Sequence, residues 1–478
     1  MTDPAAAYAA SALAGPLLLI LAAFACLLLP LFFRPLRGSQ GLIAFGAVLT
    51  ALTFTRRAPS AEFALFSGAL LLSPLSAYLW AFVLGVLALV ITLSISRPAA
   101  PDENRGEYYF LLLTAGTGLM VLVAAGDLFT AFIALELLSL PVYALAGIRR
   151  SKPGLEAAYK YFMLGTFGSA MTVMGIAVLN ALYPSLAFST LKAGAAGPLA
   201  LAGFLLVISG FAFKTALVPF HMWVPDAYEG APTQISAFMG AALKAGGVIV
   251  LWRLFSLFDG GPVREIFWCL AAVTVVTANL AALAQNGLKR LLAYSSVAHA
   301  GYIAVAFFGG QRGFEAILYY LPVYAMATIG AFAVTLALEK DDKGPRIEDL
   351  AGLARSRPWL AFAMSSFMFS LAGVPPLAGF FAKFFAFTGA VNSGYTGLVV
   401  IAVIMSAVSM YYYLRVTVAM YMTPPPDPGA VVQPAGGDTT GPLGAAGLVV
   451  GLMAAGVILA GVFSRPLLAL AAEAARWF

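Results

Sequence analysis

Residues 211–233 read FAFKTALVPFHMWVPDAYEGAPT, and residues 370–387 read SLAGVPPLAGFFAKFFAF. Both stretches are apolar over a length that suits a bilayer, both carry a lysine (Lys214, Lys383), and both are interrupted by proline. Pro219 follows shortly after Lys214, while Pro375 and Pro376, flanked by Gly373 and Gly379, precede Lys383. Proline removes an amide donor and its ring clashes with the preceding turn. In lipid, the freed carbonyls must be satisfied by neighbouring helices, polar side chains or water. Paired broken helices at matching places in two halves of a chain point to an inverted-repeat transporter with its sites at the breaks.

The rest of the chain agrees with a membrane setting. Hydrophobic residues make up 62% of the 478 and charged residues only 10%, where a soluble protein has about 45–50% and about 25%. That much apolar surface cannot be hidden in a soluble core, so the chain is an all-α polytopic membrane protein. Disordered, fibrous and disulfide-stapled classes are excluded. Cys26 and Cys269 both lie in apolar runs and outline neither a disulfide nor a metal framework. The net charge of +6 is spread over short loops without interleaved aromatics, which speaks against nucleic acid as a partner. No cleavable signal is expected.

Fourteen spans are expected, near 11–33, 40–55, 76–96, 108–125, 128–148, 154–183, 197–223, 231–257, 264–284, 290–309, 313–339, 357–389, 394–421 and 441–463. They are helices, since the runs are continuously apolar with no period-two alternation. The breaks fall in spans seven and twelve, five spans apart, so spans four to eight and nine to thirteen read as two five-helix repeats. An odd number of helices inverts the second copy. The expected division is 1–105 for spans one to three, 106–258 and 259–421 for the two repeats, and 422–478 for a loop and span fourteen. Loops after odd-numbered spans hold fourteen lysines and arginines, and the other loops with the tail hold seven. This places the odd loops in the cytoplasm and both termini outside. The loop 422–440 reads as a flexible connection, 340–357 as a surface segment, and the stretch 60–80 as containing a short outside hairpin.

Ionisable groups at membrane depth are functional hypotheses by default. Glu136, Lys160, Lys214, Lys244, His299 and Lys383 all lie within predicted spans. A desolvated lysine has a lowered pKa and a nearby carboxylate raises it again, so moving one carboxylate loads or releases a proton. A buried histidine titrates near neutrality and relays between such groups. Each residue also has a plainer reading. Glu136 could be one half of a buried ion pair. Lys214 and Lys383 could hold the carbonyls of the broken helices. Lys244 could snorkel or pack, and His299 could be a hydrogen-bonded core residue. Lys160 follows Glu156 by four residues, the spacing of a simple helix pair. His221, Asp226 and Glu229 lie beyond the first break, either as a way in for protons or as a solvated loop. Arg253 and Arg415, near span ends, are expected to snorkel. There is no P-loop, dinucleotide fingerprint or cysteine cluster, so the chain is expected to bind no cofactor.

Several stretches together resemble a known family: LELLSLPVYALAG (135–147), EAAYKYFMLG (156–165), the span-seven stretch, NLAALAQNGLKRLLAYSSVAHAGY (279–302), SLAGVPPLAGFFAKF (370–384) and SAVSMYYYLRV (406–416). They resemble the antiporter-like membrane subunits of bacterial NADH-quinone oxidoreductase, respiratory complex I, in their N type. The wider relatives are the L and M subunits and the Mrp-type sodium/proton antiporter subunits. The resemblance runs from about 105 to 420 and implies a fourteen-helix subunit that translocates protons, driven by quinone reduction elsewhere in the complex. It assigns the family's working glutamate to Glu136, and its lysines to Lys160, Lys214, Lys244 and Lys383. The histidine position falls on His299. Lys383 stands where an M subunit would carry glutamate, and the long lateral helix of an L subunit is not expected after span fourteen. The resemblance further implies a multi-pass protein of the bacterial inner membrane, with subunit M and small membrane subunits as neighbours. Quinone, FMN and iron–sulfur centres would then belong to other subunits. Two other classes stay open from the residues alone: a stand-alone cation/proton antiporter, and a purely structural scaffold.

Overall fold

Lipid offers a backbone amide no partner, so a chain this apolar closes its hydrogen bonds within helices. The structure, a computed structural model, describes residues 4–33, 38–55, 62–191, 197–258, 260–340, 344–424 and 444–478. Fourteen spans follow in the expected order. Spans one to six are Pro4–Phe32, Gln40–Thr55, Pro74–Ser96, Arg105–Ala124, Leu128–Ala146 and Lys152–Leu182. Span seven begins as Pro198–Thr215 and resumes as Trp223–Gly230. Span eight runs from Thr233 to Ser256, with a π-helical turn at Met239–Leu243. Spans nine to eleven are Pro262–Leu283, Leu288–Ala306 and Gly310–Leu338. Span twelve is split into Pro358–Ala372 and Ala378–Asn392, and spans thirteen and fourteen are Thr396–Tyr421 and Ala445–Val462. Eleven helical runs among the described residues are long and apolar enough to cross a membrane, one of them holding both spans ten and eleven.

Three features differ from the sequence reading. The π turn in span eight has no proline or glycine pair to announce it. A short helix, Ser464–Ala475, follows span fourteen where only a tail was expected. Lys289, counted among loop cations, is buried in the first turn of span ten and donates to the Ala231 carbonyl at 2.6 Å. Within 60–80, strands β1 (Phe63–Leu65) and β2 (Leu70–Leu72) form the expected hairpin. Most of the loop 422–440, and the loop cations Arg34, Arg37, Arg56, Arg57, Lys192 and Lys343, lie outside the described residues.

The chain divides into two compact units. One comprises Met1–Ala216, Ala242–Phe267 and Ala472–Phe478, and the other Leu217–Ala241 and Trp268–Ala471. In the first, the hairpin joins the turn between spans four and five, where Gly126 N–H donates to the Ala69 carbonyl at 2.8 Å. That turn in turn pairs with the residues after span six, through Leu128 N–H to Leu186 O and Phe188 N–H to Gly126 O, both at 3.1 Å. Arg253 does not snorkel free: its guanidinium donates to the Ala125 carbonyl and lies over the Phe188 ring.

Span six and the first half of span seven approach at glycines. A Cβ on Gly175 would fall 2.6 Å from the Gly203 carbonyl oxygen, and one on Gly210 would fall 2.8 Å from that of Gly168. These distances leave no room for a side chain, and the close approach sets the lateral position of Lys214 at the end of the half-helix. In the second unit, residues 344–357 are tied to the start of span ten by Leu288 N–H to Pro345 O at 3.0 Å and Ile347 N–H to Asn286 O at 2.9 Å.

Overpacking a tight helix contact costs about 1–3 kcal/mol. Gly175→Leu is therefore expected to lower the yield and thermal transition of the folded protein. Gly46→Leu, at a glycine with open space around its Cα, is expected to leave both near their original values. Equal losses from the two would refute the packing account.

Candidate functional site

Both breaks follow one plan. The first half of span seven ends in Ala216, in the left-handed region at φ 67°, and the first half of span twelve ends in Gly373 at φ 88°. Each turn then includes a cis peptide, Val218–Pro219 and Pro375–Pro376. At the first break, Val218 N–H donates to Thr274 Oγ1 at 2.9 Å. At the second, Gly379 N–H donates to Ser370 Oγ at 3.1 Å. Side-chain hydroxyls thus replace the partners that the interrupted helices have lost.

In the first unit, Lys214 lies in the last turn of its half-helix and is only 2% exposed. Its Nζ donates to Tyr161 Oη at 3.1 Å and sits 5.0 Å from the ring centroids of both Tyr143 and Tyr161. The two rings meet edge to face, 4.5 Å apart. An ammonium over aromatic faces gains from their quadrupoles, most where water is excluded. Glu136, on span five, accepts from Ser169 Oγ at 2.5 Å. Among the described residues no ion pair joins this carboxylate to Lys214. The buried ion pair that Glu136 could have formed is not made with Lys214, whose amine is held by the two tyrosines instead. Glu136 is also half-exposed, on a face that includes Ile133 and Leu140.

Lys244 is buried at the first residue after the π turn. Its helix packs closely on span seven: a Cβ on Gly247 would stand 3.4 Å from the Phe211 carbonyl oxygen. Lys160 is placed differently. It pairs with Glu156 at 2.8 Å, and the two side chains are 43% and 59% exposed, which is the simple helix pair the spacing allowed.

In the second unit, Lys383 donates to the Ala372 carbonyl at the end of the first half-helix and to Ser406 Oγ, both at 2.9 Å. The first of these bonds places a cation on the negative end of a helix, so the carbonyl-holding role expected for a break lysine falls to Lys383. A Cβ on Gly373 would lie 3.1 Å from the lysine chain, so glycine serves both the turn and the approach of the amine. A cavity of about 470 Å³ opens beside Lys383, lined by Phe380, Phe384, Phe387, Val403 and Ser406. His299 bonds on both ring nitrogens: Nδ1 to Tyr320 Oη at 2.7 Å and Nε2 to Tyr413 Oη at 3.3 Å.

The hydroxyls continue between these two residues. Tyr413 meets Ser295 Oγ at 2.5 Å. Tyr412 donates to Asn279 Oδ1 at 2.9 Å, Asn279 Nδ2 donates to Tyr302 at 3.0 Å, and Lys383 Nζ sits 4.7 Å from the centre of the Tyr302 ring. Beyond the first break, Asp226 and Glu229 both pair with Arg290, at 2.9 and 2.8 Å. Glu339, fully buried, accepts from Thr233 Oγ1 at 3.0 Å. Arg415 is held by the Leu283 carbonyl and Asn286, each at 2.8 Å.

Sequence reasoning over charged residues missed Tyr143, Tyr161, Ser169, Asn279, Tyr302, Tyr320, Glu339, Ser406, Tyr412 and Tyr413. One signal was available, since an asparagine and a run of three tyrosines inside apolar spans each need an internal partner.

Comparison with known proteins bears on the same segments. Residues 125–409 match the membrane family described as NADH:quinone oxidoreductase/Mrp antiporter. The chain is 41% identical over 435 residues to NADH-quinone oxidoreductase subunit N of Chloroflexus aggregans, covering 86% of this chain and 88% of that one. It superposes on a chain of respiratory complex I from Thermus thermophilus with a TM-score of 0.82 and 35% identity, over 96% of this chain and 99% of that one. A chain of the Mrp complex from a Dietzia species has a TM-score of 0.84 over 99% of this chain and 97% of that one, at 21% identity, a likeness of fold.

A hydrogen bond to a charged group is worth about 1.5–3 kcal/mol. Tyr161→Phe removes the acceptor of Lys214 but keeps its ring, and is expected to destabilise the protein by about that amount in thermal unfolding. Tyr143→Phe, which keeps the ring that faces the amine, is expected to cost less. The reverse order would contradict the assigned bond.

Proposed function

The chain belongs to the NADH:quinone oxidoreductase/Mrp antiporter family of membrane subunits, and from that premise we propose that it is the N-type subunit of a bacterial NADH-quinone oxidoreductase. It translocates protons across the membrane, driven by quinone reduction elsewhere in the complex. Its own part is non-redox, and FMN, iron–sulfur centres and quinone belong to other subunits. It sits in the inner membrane beside subunit M and small membrane subunits, with both termini periplasmic, as the distribution of loop cations favours.

The observation that carries this reading is Lys214. An amine 2% exposed, at a helix break, with no carboxylate of the described residues within ion-pair distance, has little structural purpose that a methionine could not serve. Aromatic faces and one phenol hold it, but neither neutralises it. The nearby acid, Glu136, stands on another helix, on a face a neighbouring subunit can reach. If that neighbour moves span five, the carboxylate approaches or leaves the amine. Approach favours the charged amine, and withdrawal favours release of its proton. Burial amplifies the effect, because charges interact more strongly away from water.

The second cluster has the parts for passing a proton on. His299 can donate from one ring nitrogen while accepting at the other, and both are engaged by tyrosines. Lys383 sits against a cavity that gives its amine access to water or to a moving neighbour. Lys244 belongs to the same reading, because a π turn beside a buried amine leaves backbone carbonyls out of helical register. Lys160, exposed and paired with Glu156, would serve at the surface of span six.

Lys214→Met tests the reading in membrane vesicles containing the assembled complex. NADH-driven proton pumping is expected to fall by roughly tenfold or more, the factor that corresponds to about 1.4 kcal/mol. Glu136→Gln, which keeps an acceptor for Ser169 and removes the charge, is expected to reduce pumping with assembly intact. Undiminished pumping in both variants, with native gels showing full assembly, would leave the scaffold reading.

A further inference from the structure

The hydroxyl groups between His299 and Lys383 are not free to point anywhere. Asn279 Nδ2 donates to the Val275 carbonyl at 2.6 Å. A backbone carbonyl only accepts, so the nitrogen of this amide must face it, which fixes the orientation of the whole group. Its oxygen therefore faces Tyr412, and Tyr412 must be the donor of their 2.9 Å bond. The second amide N–H is spent on Tyr302, whose oxygen accepts it at 3.0 Å. Tyr302 must then turn its own proton away from the amide, and Ser406 and Ser409 are the other hydroxyls near it.

The consequence is a polarity. Tyr413 borders His299, and Tyr412 borders both Tyr413 and Ser409. Tyr302 borders Ser409 and Ser406, and Ser406 accepts from Lys383. These groups could hand a proton along, one hydroxyl to the next. In the structure they do not, because the Tyr412 proton is turned into the Asn279 oxygen and that of Ser409 into the Ser406 carbonyl at 2.6 Å. An amide accepts at oxygen, but its two nitrogen protons are held as hydrogen-bond donors and are too weakly acidic to be released in exchange.

We propose that Asn279 is a positioning residue that holds open a gap in the hydroxyl path between His299 and Lys383, by keeping Tyr412 turned into its side-chain carbonyl. This rests on the reading of both ends as proton-handling groups. The gap closes when the Tyr412 hydroxyl swings to Ser409 and Ser409 turns to Tyr302. A proton then leaves the His299 imidazolium for Tyr413, and successive hydroxyls pass one on to the neutral amine of Lys383. Each oxygen gains one proton and gives up one, so the net change is one proton lost by His299 and one gained by Lys383. A path held open at rest prevents leakage between strokes. Asn279 lies on span nine while Tyr412 lies on span thirteen, so a small shift of either helix makes or breaks the gap.

The two partners in this bond should fail in opposite ways. Asn279→Leu removes the clamp and frees Tyr412. In vesicles carrying the assembled complex, an imposed pH gradient is expected to decay roughly fivefold faster, the population change that one ordinary hydrogen bond controls. Tyr412→Phe removes the stepping stone and keeps the ring. It is expected to slow NADH-driven pumping while the imposed gradient holds as in the unaltered complex. A bond with only a structural role predicts the same direction of change from either side, and that result would overturn the proposal. If Asn279→Leu does not assemble, Tyr412→Phe decides alone, and unaltered pumping overturns the proposal. Lys383→Met separates this inference from the reading beneath it. Loss of pumping there, with both Asn279→Leu and Tyr412→Phe unaffected, refutes the Asn279 gap only, whereas normal pumping in Lys383→Met removes the path itself.

Discussion

Lipid supplies no hydrogen-bond partner, and the places where this chain departs from a regular helix are furnished with one from elsewhere in the fold. At the first break the hydroxyl of Thr274 receives the Val218 amide, and at the second the hydroxyl of Ser370 receives that of Gly379. The Ala372 carbonyl, left at the end of a half-helix, is taken by Lys383. The Ala125 carbonyl, in the turn after span four, is taken by Arg253. A soluble protein would leave some of these groups to water. Here each becomes a fixed tie, two of them between the halves of span twelve and two between elements distant in sequence, and the ties hold the site residues in place.

The same constraint explains how so many ionisable groups are tolerated. Insertion into a bilayer costs about 2.5–3.5 kcal/mol for a lysine at the centre of a helix. Lys214 offsets part of that with two aromatic faces and a phenol, and Lys383 with a helix C-terminus, a serine and an aromatic face. Neither has a carboxylate in direct contact among the described residues. A lysine locked to a carboxylate is a poor carrier, because separating the pair is costly. Tyrosines and serines stabilise the charge less firmly and can donate or accept as its state changes. Under the proposed function, the two clusters are built from groups that permit a proton to leave.

Much of the architecture was legible because composition and periodicity are local properties. Continuous apolar runs marked the spans, and Pro219, Pro375 and Pro376 marked the two breaks, since proline acts on its own turn. Lys214, Lys244, His299 and Lys383 stood out because a charge in an apolar run has few explanations, and all four are buried. Lys160 stood out on the same ground but faces outward beside Glu156. The failures are equally physical. Lys289 sits at the edge of a span, where a cation can be solvated or buried, and only the packing of the Ala231 turn against it decides which. The π turn before Lys244 is required by no residue in MGAAL.

What the sequence determined by itself was the solvent, the number and order of the helices, the two interruptions and the kind of chemistry that lysines, a glutamate and a histidine can perform in lipid. The tertiary structure alone decided the partners. Tyr143 and Tyr161 come from spans five and six to meet Lys214 of span seven, and Asn279 comes from span nine to orient tyrosines of spans ten and thirteen. Uncharged hydroxyls and amides in apolar spans show that they need a partner but not which one, because a hydrogen bond is defined by distance and angle to a group many residues away. Folding brings those groups within 3 Å or so of one another, and the order in which they donate and accept exists only after that.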